Sequence, residues 1–131
     1  MQRLLDIGFT KSGHWARTES GIERRIKQNA DAINILYCFI SDNEMLYVGK
    51  TVQQLKKRMY GYQKPSNSQA TNIRVNDLII KRLDSGCPVD IYALPDHGLL
   101  HFGAFHLNLA AGLEDSIIAT INPPWNKTGK N

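Results

Sequence analysis

Two short apolar runs separated by four polar residues place the strongest constraint on the fold of this chain. Apart from Asn34, residues 34–40 and 45–48 are apolar and aromatic, and residues 41–44 between them are polar. This pattern predicts a β-hairpin. A three-residue loop would place Tyr37 and Tyr47 on the same face of the sheet, whereas a loop of two or four residues would separate them. Two strand tyrosines are more often packing residues, so this pair alone does not define a site.

Length and composition indicate one domain with an ordinary core. The chain has 131 residues, of which 42% are hydrophobic and 21% are charged, which excludes the disordered, collagen-like and disulfide-scaffold classes. Cys38 and Cys87 stand far apart and are expected to be free thiols, which suits a reducing compartment. No apolar stretch approaches the roughly 20 residues that span a bilayer. Residues 1–5 open no signal peptide, so we expect a cytoplasmic protein with no membrane association.

The N-terminal segment is predicted to be irregular and to lead into a helix. Residues 1–20 are rich in turn-forming and aromatic residues, which is typical of an irregular cap on the main body. A helix is expected over about residues 19–32, because Ile22 and Ile26 have the spacing of one helix face.

Beyond the hairpin, the pattern predicts further helices and a third strand. Thr51 and Gln54 have the spacing of a capping box, so a helix is expected to start there and to run to about Tyr60. Such a start would put Lys50 and Thr51 at a helix N-terminus, where anions are favoured. The remaining predicted elements are a helix over residues 75–83, a strand over 89–94 and a helix that starts at about residue 108 or 112 and ends at 121.

Positive charge is concentrated in one segment of the chain. Between Lys50 and Arg82 there are eight basic residues and one acidic residue, Asp77, whereas residues 83–126 contain no lysine or arginine. Tyrosines and amide side chains are interleaved with the basic residues, a mixture that suits a polyanion such as DNA. The alternative is a solvated surface that acids elsewhere in the fold balance. The predicted DNA contacts are Lys56, Lys57, Lys64, Asn72, Arg74 and Arg82.

Glu114 and three histidines are the candidate metal ligands. Glu114 lies at the edge of the apolar stripe of its predicted helix, where it either stabilises the helix dipole or binds a hard divalent cation through oxygen. His97, His101 and His106 are separated by glycines and have no cysteine nearby. We therefore interpret them as loop histidines and do not expect a zinc site.

Five short motifs follow one another along residues 34–126. They are Ile35-Leu36-Tyr37, Tyr47-Val48-Gly49-Lys50-Thr51, Leu55-x-x-Arg58 with Tyr62, Gly112-Leu113-Glu114-Asp115 and Asn122-Pro123-Pro124-Trp125-Asn126. Their order and spacing resemble those of the GIY-YIG nuclease superfamily. Ile35 stands where the first motif of that family has glycine, and residues 62 and 68–74 are most similar to its small restriction-endonuclease-like members.

This resemblance implies both a fold and an activity. The implied fold is an α/β (α+β) sandwich in which helices flank a central three-stranded antiparallel sheet. Residues 34–126 would form the nuclease core of a single domain, preceded by an N-terminal extension with a helix over 1–33 and followed by a tail over 127–131. The implied activity is metal-dependent hydrolysis of DNA phosphodiester bonds. Because one site cuts one strand, cutting both strands would need a homodimer or two successive nicks.

The resemblance also assigns roles to individual residues. Glu114 would hold one Mg²⁺ or Mn²⁺ at the scissile phosphate. Tyr37 would be the general base, and nearby positive charge from Lys50 and Arg58 would favour its phenolate. Arg58 would also neutralise the charge that grows on the phosphate. The residues that would orient water and phosphate or brace the site are Tyr47, Tyr62 and Asn126.

Two other functions are compatible with the sequence. One is a nucleic-acid-binding domain of the same fold that does not hydrolyse its ligand. The other is a protein-interaction module whose basic segment binds an acidic partner. Metal-dependent nicking of plasmid DNA would separate an endonuclease from both of these.

Overall fold

A five-stranded antiparallel sheet forms the centre of the molecule, so the prediction of a three-stranded sheet is wrong. The computed structural model describes residues 2–95, 101–106 and 109–126. The strands of the sheet are β1 (Thr10–Arg17), β2 (Ile22–Ile26), β3 (Ile35–Ser41), β4 (Glu44–Thr51) and β5 (Asp90–Pro95). Within the described ranges their order is β2-β1-β5-β3-β4, and all neighbours are antiparallel. The two additional strands, β1 and β2, come from the N-terminal segment.

Helices cover both faces of this sheet, which makes the fold α+β. The helices of the described ranges are α1 (Gln2–Asp6), α2 (Leu55–Gln63), α3 (Ala70–Asp84) and α4 (Leu109–Ile121). Two short strands, β6 (His101–Phe102) and β7 (Phe105–His106), pair with each other outside the main sheet. None of the helices in this part of the chain combines the length and the apolar character that a membrane crossing requires.

The predicted N-terminal irregular segment and helix are replaced by a β-hairpin. Strands β1 and β2 pair from Arg17 opposite Ile22 to Gly13 opposite Ile26. The spacing of four residues between Ile22 and Ile26 places two side chains on one face of a helix, but it does so equally on one face of a strand. This hairpin extends the sheet beyond β5, because β1 also pairs with β5.

Helix α2 begins later than the predicted capping box. Thr51 is the last residue of β4, and its hydroxyl accepts a hydrogen bond from the backbone N–H of Gln53 at 3.0 Å. The first N–H groups of α2 donate instead to carbonyls of the loop that follows β2: Leu55 N to Ala32 O at 3.0 Å and Lys56 N to Ala30 O at 2.9 Å. Backbone groups therefore cap the helix in place of a side chain, and Lys50 and Thr51 do not lie at its N-terminus.

A β-bulge in the β3–β4 hairpin places Tyr37 and Tyr47 on the same face. The turn has two residues, Asp42 and Asn43, both with positive φ, and not the three residues that would align the tyrosines directly. The register shifts by one residue after the pairs nearest the turn, so that Tyr47 lies opposite Phe39 and Gly49 opposite Tyr37. A two-residue turn alone would have placed Tyr37 and Tyr47 on opposite faces of the sheet. The extra residue of the bulge brings them back to the same face.

Two apolar cores lie on opposite faces of the sheet. Tyr37 and Phe39 belong to the core that α2 and α3 cover, whereas Leu36 and Cys38 belong to the core that α4 covers. All seven residues of β3 are buried, which explains the unbroken apolar run in the sequence. The predicted strand at 89–94 is confirmed as β5, which lies in the centre of the sheet between β1 and β3.

The close packing of the β1–β2 hairpin gives a test of the fold. A Cβ atom on Gly13 would overlap the backbone of Arg25 and Ile26, which are part of the paired strand. We expect Gly13→Ala to destabilise the protein by about 1–3 kcal/mol. Gly21, in the turn of the same hairpin, has no atom within 4 Å of such a Cβ. Gly21→Ala should therefore change the free energy of unfolding by less than about 0.5 kcal/mol in urea denaturation, and equal losses in the two variants would contradict this hairpin.

Candidate functional site

Three tyrosine hydroxyls meet in the core between the β3–β4 hairpin and α2. The hydroxyl of Tyr62 shares a 2.6 Å hydrogen bond with that of Tyr37 and donates one of 3.3 Å to that of Tyr47. The three side chains are buried, and their rings pack around Phe39. The predicted tyrosines therefore form one connected polar cluster inside an apolar core.

Gly49 allows the hydroxyl of Tyr37 to lie directly against strand β4. A Cβ atom at position 49 would stand 2.5 Å from this hydroxyl oxygen, closer than non-bonded atoms approach. Gly49 is opposite Tyr37 in the register, so the missing side chain leaves space for the phenol. Any larger residue at this position would displace the hydroxyl.

Arg58 connects the tyrosine cluster to the surface. Its Nη2 atom donates to the hydroxyl of Tyr62 at 2.6 Å, and its guanidinium carbon lies 4.1 Å from the centre of the Tyr62 ring. Both terminal nitrogens also donate to Oδ1 of Asn72 at 3.2 Å. Among the residues that the structure describes, no carboxylate pairs with Arg58. Its positive charge is therefore held in place but not neutralised.

An open groove of about 690 Å³ lies beside Arg58. We call it the cationic groove, because Lys50 and Arg58 supply its charges and its other lining groups are small or uncharged. Its lining residues are Lys50, Thr51, Val52, Gln53, Arg58 and residues 68–72. A groove with this lining can accept an anion such as a phosphate group.

Asn72 is a residue whose structural role the sequence analysis missed. It was predicted only as a DNA contact, but it is 6% exposed and accepts both hydrogen bonds from Arg58. A Cβ atom on Gly61 would stand 3.2 Å from its amide nitrogen, so α2 and α3 approach closely here. The sequence does contain a signal for the burial of Asn72. This residue stands three positions before Val75 and seven before Ile79, so it belongs to the buried stripe of α3.

Burial keeps the phenols of Tyr37 and Tyr62 neutral. It raises the pKa values of Tyr37 and Tyr62 well above the ordinary tyrosine value, and Arg58 lowers both without cancelling the effect. Burial also lowers the pKa of Arg58, but the neighbouring tyrosines outweigh it and the pKa is raised. Arg58 alone therefore does not produce the phenolate that a tyrosine base requires.

Glu114 is the predicted metal ligand, and it lies close to Lys50. Its Oε1 atom is 3.8 Å from Lys50 Nζ, and its side chain is 18% exposed. Burial raises the pKa of this carboxyl, Lys50 lowers it and Asp115 raises it. Over the described ranges, no three His, Cys, Asp or Glu side chains come together. A single carboxylate suits a cation such as Mg²⁺, which keeps several water ligands.

Asn126 holds the backbone of β4 next to the site. Its side-chain oxygen accepts from the N–H of Val48 and its side-chain nitrogen donates to the carbonyl of Val48, both at 2.9 Å. Trp125 N also donates to Leu46 O at 2.8 Å, so this C-terminal segment lies along the free edge of β4. Asn126 thus fixes the residue that precedes Gly49.

The structure separates the predicted DNA contacts into different environments. Lys57 is exposed on α2 and Lys64 is exposed directly after its end, whereas Lys56 forms an ion pair with Asp31 at 2.8 Å. Arg74 donates to the carbonyl of Trp125 at 2.8 Å. The remaining member of the predicted set does not lie near the cationic groove: Arg82 pairs with Asp42 at 3.1 Å and donates to Ser41 at 2.9 Å, at the opposite end of β3.

The candidate histidines lie partly outside the described residues. His97 and the predicted tail over 127–131 are outside these ranges. His101 and His106 are register partners in the backbone pairing of β6 with β7.

This chain is similar in sequence or structure to two known nucleases. No family model matches it. Endonuclease II of Enterobacteria phage T4 is 29% identical over 71% of each chain. A structure of a bacteriophage T4 EndoII mutant has a TM-score of 0.74 at 24% identity and covers 96% of both chains. Restriction endonuclease HPY188I in complex with product DNA has a TM-score of 0.53 at 16% identity, over 93% of this chain and 79% of the other. The structural likenesses show a shared fold.

The buried phenols predict a loss of stability at high pH. Unfolded tyrosines lose their protons near pH 10, while the raised pKa values of Tyr37 and Tyr62 keep these phenols protonated in the folded protein. The free energy of unfolding should therefore fall above about pH 10, by up to about 1.4 kcal/mol per pH unit for each group.

Variants separate the effect of these phenols from the effects of other groups that titrate at high pH. One such group is the buried thiol of Cys38, because burial raises its pKa as well. In urea denaturation across this pH range, Tyr62→Phe should show a shallower decline than the wild type. The matched control is Tyr60→Phe, since Tyr60 is exposed on the same helix. Identical declines in all three proteins would contradict a buried, neutral phenol at Tyr62.

Proposed function

We propose that this protein is a DNA endonuclease that hydrolyses phosphodiester bonds in the cationic groove. The observation that carries this proposal is the position of Arg58 between three buried tyrosines and an open groove, with no carboxylate partner among the described residues. The similarity to Endonuclease II of phage T4 and to a restriction endonuclease solved with product DNA supports it. DNA would enter with a phosphate against Arg58 and Lys50.

We further propose membership in the GIY-YIG nuclease superfamily. The motif residues lie far apart in sequence, yet Tyr37, Tyr47, Arg58 and Tyr62 are joined by hydrogen bonds. Gly49 provides the space that the Tyr37 hydroxyl needs. The assembly of these distant motif residues into one hydrogen-bonded cluster supports the resemblance more strongly than any single motif does.

Glu114 would hold the divalent cation of this reaction. Its partly buried carboxylate offers hard oxygen ligands beside a groove that would bind phosphate, which suits Mg²⁺ or Mn²⁺. The bound ion would stabilise the negative charge of the scissile phosphate and of the leaving oxygen. Lys50, which pairs with Glu114 at 3.8 Å, would bind the substrate phosphate alongside Arg58.

Tyr37 would accept the proton of the attacking water. Burial opposes this role, because it raises the pKa of the phenol above its ordinary value while Arg58 lowers it. The role therefore requires more positive charge near the Tyr37 hydroxyl than Arg58 provides. Tyr62, whose hydroxyl bonds both Tyr37 and Arg58, would position the two groups relative to each other.

Supercoiled plasmid DNA tests the proposal directly. Incubation with Mg²⁺ or Mn²⁺ should convert it to the nicked form, and a chelator should prevent this conversion. Binding of DNA without cleavage under these conditions would favour the alternative of a non-catalytic DNA-binding domain. Linear product formed without a nicked intermediate would indicate a dimer that cuts both strands together.

Glu114→Gln tests the metal role. The amide keeps the shape of the side chain but removes the charge that attracts a cation, so cleavage should be lost while the fold is kept. Asp115→Asn removes the exposed neighbouring acid and should retain activity within a few-fold of the wild type. Plasmid cleavage at the wild-type rate by Glu114→Gln would exclude this residue as the ligand.

Tyr37→Phe and Tyr47→Phe distinguish a base from an orienting group. General-base catalysis typically contributes about 10²–10⁴-fold, so Tyr37→Phe should lose at least about two orders of magnitude in single-turnover rate. DNA affinity should be nearly unchanged, and Tyr47→Phe should lose less. If Tyr37→Phe cleaves within a few-fold of the wild type, Tyr37 is not the base, and the candidates are Tyr47, Tyr62 or a hydroxide supplied by the metal ion.

A further inference from the structure

Basic residues without an acidic partner are concentrated around helix α2. In the part of the chain that the structure describes, most lysines and arginines form ion pairs with Asp or Glu. Two of the basic side chains without such a pair are exposed: Lys57 lies on α2, and Lys64, seven residues later, directly follows the end of the helix. Among the basic residues whose side chains the structure describes, those without a carboxylate partner are Arg24, Lys27, Lys57, Arg58, Lys64 and Arg74.

Helix α2 separates two fixed arginines of this set. Arg58 lies on the flank of α2 that meets α3, since it bonds Asn72. Arg24 lies on strand β2 and meets the other flank, where it bonds Gln63. A helix is about 10 Å wide with its side chains, so the two guanidinium groups lie on either side of a ridge that carries Lys57 and Lys64.

Arg24 is held in one orientation without being neutralised. Its backbone N–H and its Nη1 atom donate to Oε1 of Gln63 at 3.0 and 2.9 Å. Its guanidinium carbon lies 5.0 Å from the centre of the Tyr60 ring, and Tyr60 is 44% exposed. A guanidinium has five N–H donors, so several remain free for a ligand. Because the side chain is already ordered, binding an anion costs less conformational entropy.

We propose that Arg24, supported by Tyr60 and Gln63, is a phosphate-contact site for duplex DNA outside the cleavage groove. This inference rests on the proposed function, since it takes DNA as the substrate. The DNA backbone would run from Arg58 over Lys57 and Lys64 to Arg24, so that the β1–β2 hairpin contributes to DNA binding. Arg82 would take no part, because Asp42 already pairs with it.

The adjacent arginine provides a matched control. Arg25 lies on the same strand, but successive side chains of a strand point to opposite faces, and Arg25 pairs with Glu23 at 3.1 Å. Arg24→Gln and Arg25→Gln therefore remove the same charge from neighbouring positions. Only the first removes a charge that faces α2 and has no acidic partner.

The experiment measures the affinity for a short labelled duplex across a salt series, in chelator so that no cleavage occurs. Arg24→Gln should weaken binding several-fold and reduce the slope of log affinity against log salt by about 0.9, as expected for one lost phosphate contact. Arg24→Lys should keep the slope, because the charge remains. Arg25→Gln should match the wild type. At saturating DNA, Arg24→Gln should cleave at the wild-type single-turnover rate, because it contacts no reacting group.

The other possible outcomes contradict the Arg24 site, the endonuclease proposal or the choice of DNA as the partner. If the wild type binds the duplex but Arg24→Gln and Arg25→Gln bind it equally well, the Arg24 site is wrong and the endonuclease proposal stands. If the wild type binds no DNA, both are wrong. Equal affinity of the wild type for polyglutamate of the same charge would assign the surface to an acidic protein partner and overturn the inference.

Discussion

The hydrogen bonds around the hydroxyl of Tyr62 determine how the rest of the structure is assembled. This oxygen bonds Tyr37 and Tyr47 on the β3–β4 hairpin and accepts from Arg58 on its own helix. A buried polar cluster is stable only when its members are satisfied, so the hairpin and α2 can pack in very few ways. The bulge that brings Tyr47 to the same face as Tyr37, and the absence of a side chain at Gly49, are both requirements of this one arrangement.

The same cluster explains how a charged residue can border an apolar core and still be available to a ligand. Arg58 is stabilised by an aromatic ring, a phenol oxygen and the amide of Asn72, none of which carries a negative charge. A carboxylate partner would have satisfied it equally well but would have cancelled its charge, as Asp42 does for Arg82. Neutral partners therefore preserve the attraction for phosphate that the proposed function needs.

The sequence predicted the elements that carry strong local signals, and it failed where distant contacts decide the structure. The hairpin and β5 were predictable from alternation and apolar runs. The common face of Tyr37 and Tyr47 was only one of two alternatives, because it depends on a bulge that the loop length does not indicate. The β1–β2 hairpin was not, because the spacing of Ile22 and Ile26 fits helix and strand equally. The resemblance began at residue 34, so it described only three of the five strands. The contact of Arg24 with Gln63 joins residues 39 positions apart, which no local pattern indicates.

The position of the candidate site at an edge strand follows from the two cores. Tyr37 faces the layer of α2 and α3, whereas Lys50 is opposite Leu36 and faces the layer of α4, where Glu114 lies. Groups from the two faces of a sheet are separated by its backbone, except where the sheet ends. Strand β4 is such an end, and Asn126 pairs with it only as far as Val48. The segment beyond Val48 is therefore where a phosphate could contact residues from both layers.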